Sequence, residues 1–246
     1  MRIFYDLGRY YIMMGRVFKK PEKYSIYRKQ ILIEIDKLGV GSLGIVAIIS
    51  FFMGAVITIQ AAFGFTSPWV PIYAIGLTTR DSIILEFSPT IVSLILAGKV
   101  GSNIASEIGT MKVTEQVDAL EIMGINSAGY LILPKIIATV FINPFLILIS
   151  MALGIFGGWI CGIGTHVVTS YQYVYGVQYD FNPFNIVYAL IKTMVFAFII
   201  TTVSAYHGYY TEGGALEVGR SSTKAVVYSS ILILVFNFIL TQLLLA

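Results

Sequence analysis

Charge is scarce in this chain of 246 residues: only 12% are Asp, Glu, Lys or Arg, while 57% are apolar. Soluble domains carry about 25% charged and about 45–50% apolar residues, so an ordinary water-soluble enzyme is excluded. Cysteine is nearly absent. The single Cys161 cannot close an intrachain disulfide, and inside an apolar run it reads as a small packing residue without redox chemistry. Histidine is limited to His166 and His207, at opposite ends of the apolar segments, where they cannot share a metal. No catalytic set and no metal site are expected. A cleavable signal peptide is not expected, because Arg2, Asp6, Arg9 and Arg16 fall where its apolar core would have to be.

What the chain does have is long uncharged runs. Leu38 to Thr79 is free of charge for 42 residues, Ile136 to Tyr179 for 44 and Ala225 to Ala246 for 22. Ser82 to Gly98 holds only Glu86, and Phe181 to Thr211 only Lys192. A bilayer-spanning helix needs about 20 apolar residues. The runs are continuous Ile, Leu, Val, Phe and Ala rather than the alternating ten-residue segments of a barrel, so helices are the reading that satisfies the backbone in lipid. The chain is expected to be an all-α integral membrane protein. Five spans are placed at Val40–Phe63, Ile83–Ala105, Leu131–Ile160, Asn185–Tyr206 and Val226–Ala246.

Ahead of them, Ile3, Leu7, Tyr10, Tyr11, Met14, Val17 and Phe18 recur at helical spacing opposite Arg2, Asp6, Arg9, Arg16, Lys19 and Lys20. This pattern predicts an amphipathic helix lying in the membrane interface; packing on a soluble partner is the other reading. Residues 1–38 thus form an N-terminal interfacial region and 39–246 the five-span domain.

Basic residues set the orientation. Arg2, Arg9, Arg16, Lys19, Lys20, Lys23, Arg28, Lys29 and Lys37 precede span one, Lys99, Lys112 and Lys135 surround the second loop, and Arg220 and Lys224 occupy the fourth. That places 14 of the 16 on one side, leaving Arg80 and Lys192. The N-terminus is therefore expected in the cytoplasm and the C-terminus outside. Trp69, Trp159, Tyr171, Tyr173, Tyr175, Tyr179, Phe181 and Phe184 gather on the outer side, as aromatic rings do at headgroup level.

Within span three, Gly154, Gly158 and Gly162 repeat every four residues, which suits either an internal helix-packing face or a subunit interface. Asn143-Pro144 is expected to kink the same span. Charges within spans are functional candidates because burying them is costly. Glu86 is read about one turn into span two, with Pro89 loosening that turn; either a polar pocket or a solvated helix-end carboxylate fits. Lys99 and Lys192 are expected to snorkel to the interfaces.

The most informative polar segment runs from Ser106 to Ile125. Val113, Val117 and Leu120 have helical apolar spacing, and Glu115, Asp118 and Glu121 share the other side. The pattern predicts a short helix parallel to the membrane with an acidic face; a docking surface and a merely solvated loop helix are equally compatible with it.

This segment carries a resemblance. Ala97-Gly98-Lys99-Val100-Gly101, then Glu107 through Leu120 with Met123-Gly124, and later Gly213-Gly214-Ala215, Val218-Gly219 and Thr223-Lys224-Ala225-Val226-Val227 are similar to the signature of MlaE-type permeases. These are the membrane subunits of lipid-transporting ABC systems of the maintenance-of-lipid-asymmetry class. The resemblance implies a homodimer enclosing a phospholipid cavity in the bacterial inner membrane. It makes the segment around 106–125 the coupling helix for a cytoplasmic ABC ATPase, with Glu107, Thr110, Lys112, Glu115, Gln116, Asp118 and Glu121 as coupling residues. Further implied partners are a STAS-domain protein and a periplasmic MCE-domain protein, with no nucleic acid among them. No cofactor belongs to this chain; ATP and Mg²⁺ would be held by the ATPase.

Lipid contact would fall to Leu85, Glu86, Pro89 and Lys99. The family commonly has Leu-Arg-Glu-Leu-Gly-Pro entering span two, where this chain reads Ile84-Leu85-Glu86-Phe87-Ser88-Pro89, so the arginine is missing and only Arg80 lies nearby. Lys99 stands where the family usually has arginine, keeping the charge but losing the planar fork. Gly98-Lys99 lacks the rest of a phosphate loop, with Ser93 at the position of the earlier glycine, so ATP chemistry belongs to another chain. The competing class is an ion-coupled secondary transporter, for which the spans offer only Glu86 and Lys192.

Overall fold

The computed structural model describes residues 2–19, 24–65 and 69–245. Lys20 and Lys23 in the basic count above, and Ala246 of span five, lie outside them, as do the side chains of Arg2 and Ile3. The described residues form helices and no strand: α1 (Arg2–Val17), α2 (24–64), α3 (Ala74–Val113), α4 (Gln116–Ile122), α5 (Ser127–Gly164), α6 (Ser170–Gln178), α7 (Phe184–Tyr209) and α8 (Ala215–Leu245). Five of these, α2, α3, α5, α7 and α8, are long and apolar enough to cross a membrane. At 1.5 Å per residue even α7 is about 39 Å long, more than the roughly 30 Å hydrocarbon layer. The helices outrun the predicted spans because the uncharged run marks only the part suited to lipid, while the winding continues into charged residues. Glu86 accordingly lies well inside α3, which starts at Ala74, rather than one turn from its end. Helix α5 continues without interruption through Asn143 and Pro144.

Regular winding fails in two helices only, among the described residues. α2 widens to i→i+5 bonding over Ile35–Val40, and α3 does so over Ile83–Ile91 and again over Ala97–Gly101. Such stretches add a residue to the turn and mark strained or working parts of a helix.

The chain divides into two compact units, one comprising Met1–Ser42, Leu94–Ile142 and Val195–Ile239, the other Leu43–Ser93, Asn143–Met194 and Leu240–Ala246. In the first, α1 is docked by Met13, Met14 and Val17, all buried. Tyr10 donates to Thr202 Oγ1 at 2.9 Å, Tyr206 donates to Asp6 at 3.2 Å, and the Arg9 guanidinium lies 3.9 Å from the Tyr210 ring centre. Phe4, Leu7, Tyr11 and Phe18 remain exposed. The predicted single apolar stripe is therefore two faces: Tyr10, Met14 and Val17, joined by Met13, pack inward, and Leu7, Tyr11 and Phe18 point away.

In the second unit the glycines of α5 bring backbones together. A Cβ on Gly54 would stand 1.8 Å from the Gly154 carbonyl oxygen, one on Gly157 2.2 Å from that of Phe51, and one on Gly158 2.4 Å from Thr58 Oγ1. The glycine stripe is thus an internal seam between α2 and α5, the first of its two readings. Ser50 donates to Ser150 at 2.8 Å and Ser150 to Ser88 at 3.0 Å, adding α3 to the seam. Tyr173 of α6 donates to the Ile155 carbonyl at 3.0 Å, and burial pushes its pKa up to about 12, so it stays a neutral donor.

Gly54→Ala is expected to lower the melting temperature of the detergent-solubilised protein by the equivalent of about 1–3 kcal/mol, the usual cost of overpacking. Gly44→Ala, on the same helix with nothing within 4 Å of its Cβ, should be neutral or slightly stabilising. Equal shifts for the two would remove the seam as a structural determinant.

Candidate functional site

Two groups of polar residues are built from the predicted candidates. The first follows α3 in the first unit. Thr114 closes the helix by donating from Oγ1 to the Thr110 carbonyl at 2.8 Å, and Glu115 takes a left-handed φ of 62° that turns the chain into α4. Val117, fully buried, anchors α4. Lys112 at the end of α3 reaches Asp118 at 2.6 Å, bridging the two helices. α4 ends in a Schellman arrangement: Ile125 N–H bonds the Leu120 carbonyl at 3.0 Å and Gly124 N–H that of Glu121 at 2.9 Å. Gly124 supplies the φ of +79° that this ending needs.

The predicted acidic face remains accessible, with Glu115 and Glu121 exposed and the Asp118 side chain 48% exposed, but two of its three carboxylates are engaged. Asp118 is turned to Lys112, and Glu121 accepts from Tyr209 Oη at 2.9 Å and Ser127 Oγ at 2.8 Å. What α4 exposes is mixed: Glu115, Gln116, Ala119 and Glu121 beside Ile122, which is 88% exposed, and Met123. Thr110 is exposed beside this segment. Glu107 lies apart, paired with Lys37 at 2.6 Å and Lys135 at 3.1 Å; Lys135 also bonds Glu34.

The second group belongs to the other unit and centres on Lys192 of α7. The expectation that this lysine snorkels outward is overturned, because it is fully buried. Its ammonium donates to Glu86 Oε1 at 3.0 Å, Tyr188 Oη at 2.8 Å, the Leu85 carbonyl at 3.3 Å and Thr241 Oγ1 at 3.4 Å. Pro89 explains why that carbonyl is free. It has no N–H to bond the residue four positions back, and that residue is Leu85. Leu85, Glu86 and Pro89 are thereby brought together, and Lys192, missed from sequence, completes the group. A signal for it existed: the lysine is nine residues into α7, deep for a snorkelling side chain, and Tyr188 stands one turn before it. Glu86 is half-exposed, 44% by side chain, and accepts from Thr90 at 3.1 Å, so the pair presents a carboxylate backed by a buried cation.

Arg80, the other nearby cation, does not join this group. It is buried, pairs with Asp81 at 2.8 Å and donates to the carbonyls of Val177 at 2.9 Å and Tyr179 at 2.7 Å, closing the C-terminal end of α6. Lys99 belongs to the first unit, where it donates to the Gly41 carbonyl. Among the described residues no three His, Cys, Asp or Glu side chains are arranged to hold a metal.

A sequence profile described as "Permease MlaE" matches residues 31–243, and so includes α4 and the Lys192 group. The chain belongs to the MlaE permease family. Its relatives include a "Probable ABC transporter permease protein" of Rickettsia bellii, 37% identical over 99% of this chain and 93% of that protein. The "Intermembrane phospholipid transport system permease protein MlaE" of Haemophilus influenzae is 29% identical over 97% of this chain and 91% of its own length. The chloroplastic protein TRIGALACTOSYLDIACYLGLYCEROL 1 of Arabidopsis thaliana is 34% identical over 94% of this chain and 66% of that one. This MlaE-family permease is thus a multi-pass membrane protein whose relatives are named as ABC transporter permeases.

Lys192→Ala is expected to destabilise this permease by about 1–3 kcal/mol. That is less than the loss for a fully buried pair, because Glu86 is half in solvent. Lys192→Met combined with Glu86→Gln should recover most of the melting temperature. Equal losses in the single and double variants would show that the pairing is not what the lysine contributes.

Proposed function

We propose that this chain is the membrane-spanning subunit of an ABC transporter that moves phospholipid, with ATP and Mg²⁺ bound and hydrolysed in a separate cytoplasmic ATPase subunit. The observation that carries the reading is the mounting of α4. A helix of seven residues is held rigidly at both ends, by the Lys112–Asp118 bridge and by the Glu121–Tyr209–Ser127 contacts, yet it exposes Glu115, Gln116, Ile122 and Met123. Apolar side chains exposed on a fixed mount suit a partner that pushes. Sequence similarity to the phospholipid permease of Haemophilus influenzae supports the cargo.

In this reading two copies of the chain enclose the lipid cavity in a bacterial inner membrane. The basic N-terminal region and α4 face the cytoplasm and the C-terminus faces the periplasm, where an MCE-domain carrier exchanges lipid; a STAS-domain subunit accompanies the ATPase. α1 lies in the interface, with Phe4, Leu7, Tyr11 and Phe18 toward lipid. The headgroup meets the Glu86–Lys192 pair, in which the lysine delivered from α7 to the Leu85 carbonyl stands in for the arginine missing at position 85. Closure of the ATPase pair displaces α4 and, through it, α3.

Glu115→Lys with Ile122→Asp should abolish co-purification of the ATPase subunit in mild detergent while leaving the melting temperature unchanged. Asp118→Asn, which breaks a half-exposed bridge, should lower stability by no more than about 1 kcal/mol. Undiminished co-purification of the first variant would remove α4 as the docking helix. Lipid movement driven by an ion gradient without any ATPase would favour the secondary transporter.

A further inference from the structure

The first unit contains a charge network that joins Glu107 and Lys99, which the family resemblance gives to coupling and to lipid contact, with three residues it gives no role. It surrounds the loosened stretch of α2, Ile35–Val40. Glu34, just before the stretch, is held by Lys135 of α5. Lys37, within it, pairs with Glu107 of α3 at 2.6 Å. The Gly41 carbonyl, just after it, accepts from Lys99, which itself sits in the loosened stretch Ala97–Gly101 of α3. Lys135 also pairs with Glu107 at 3.1 Å, closing the network. The weak point of α2 is thus fastened at its beginning, middle and end, twice to α3 and once to α5.

Stability does not account for this arrangement. The Lys37–Glu107 pair is 43% and 31% exposed, a setting in which ion pairs return little. Lys135 and Glu34 are nearly buried, and Glu34 Oε2 and Gln30 Oε1 have no hydrogen-bond partner, so burying that pair is costly. What the network supplies is direction. Loosened helix winding bends more readily than regular α-helix, and every fastening attaches it to a helix that leads into α4 or follows it.

We propose that Glu34, Lys37, Lys99, Glu107 and Lys135 form a transmission clamp. Displacement of the last turns of α3 reaches α2 through Glu107–Lys37 and Lys99–Gly41 and bends α2 at Ile35–Val40, while Lys135 holds Glu34 as the fulcrum. This rests on the transporter reading above. The five are positioning residues; none need touch lipid or nucleotide.

The test uses the complete transporter in proteoliposomes, with Cys161→Ala as the parent, and follows ATP hydrolysis and transfer of a fluorescent phospholipid separately. Lys37→Cys with Glu107→Cys removes the Lys37–Glu107 fastening and the Lys135–Glu107 contact with it, leaving Lys135 on Glu34, and supplies two accessible thiols that a reducible bis-methanethiosulfonate linker bridges at about the length of the lost side chains. Without linker, hydrolysis is expected to stay within about twofold of the parent and transfer to fall about tenfold, in the range of coupling energies between sites. Bridging should restore transfer, and reduction should abolish it again. Lys99→Met should show the same separation of hydrolysis from transfer. Parallel loss of both activities, unchanged transfer, or failure of the bridge to restore it would overturn the clamp. A parent that hydrolyses ATP but moves no lipid would overturn the transporter reading itself, and the clamp with it.

Discussion

A peptide group surrounded by hydrocarbon has no water to bond, so every carbonyl and N–H must find a partner within the protein. The long helices are the first consequence. The second is the habit of the hydroxyl residues in the spans: Ser42, Thr139, Thr193 and Thr201 each donate to the carbonyl four residues back, turning their own polarity to the backbone. The third is the Lys192 group. Pro89 leaves one carbonyl without its helical donor, and the lysine satisfies it while neutralising Glu86. An isolated ammonium in this setting would be prohibitive. Seen this way, proline, glutamate and lysine are a single unit distributed over two helices.

The same constraint shows what could be read from the sequence and what could not. The spans were legible because lipid excludes charge, so uncharged runs mark them directly. Their ends were not, because α3 keeps winding through Arg80 and Asp81 at one end and Glu107 and Lys112 at the other. The segment that became α4 was legible from Val113, Val117 and Leu120. The partners of its acidic face were not, because nothing in the sequence shows that Asp118 and Glu121, while still reached by solvent, also answer to Lys112 and Tyr209. Lys192 was misread for a related reason. Snorkelling is a property of one side chain, whereas its burial depends on Tyr188, Thr241, Glu86 and a carbonyl freed by a proline on another helix.

The glycines of α5 and the loosened stretches of α2 and α3 divide the labour among the helices. Where Gly54, Gly154 and Gly157 let backbones touch, no side chain is present to rearrange, and dense packing resists deformation. α5 and α7 hold regular winding from end to end. The irregular winding falls on α2 and α3, which carry four of the five residues of the charge network, the fifth being Lys135 of α5. Pro89 announces Ile83–Ile91, but no residue type announces the other two; Ile35–Val40 and Ala97–Gly101 share only small glycine-bearing sequences.

The way Arg80 is spent sets a boundary on motion. Its two bonds to the end of α6 are reinforced by close approach on both sides: a Cβ on Gly76 would stand 2.5 Å from the Tyr173 carbonyl oxygen, and one on Gly176 2.0 Å from that of Tyr73. The first turns of α3 and the whole of α6 are therefore welded into one block. A helix welded at its root behaves as a cantilever, and the first compliant length beyond the weld is Ile83–Ile91, which holds Glu86 and Pro89, ahead of the second at Ala97–Gly101. A deflection taken up next to the weld falls where the α3 carboxylate meets Lys192, so bending the helix there also re-presents that charged pair.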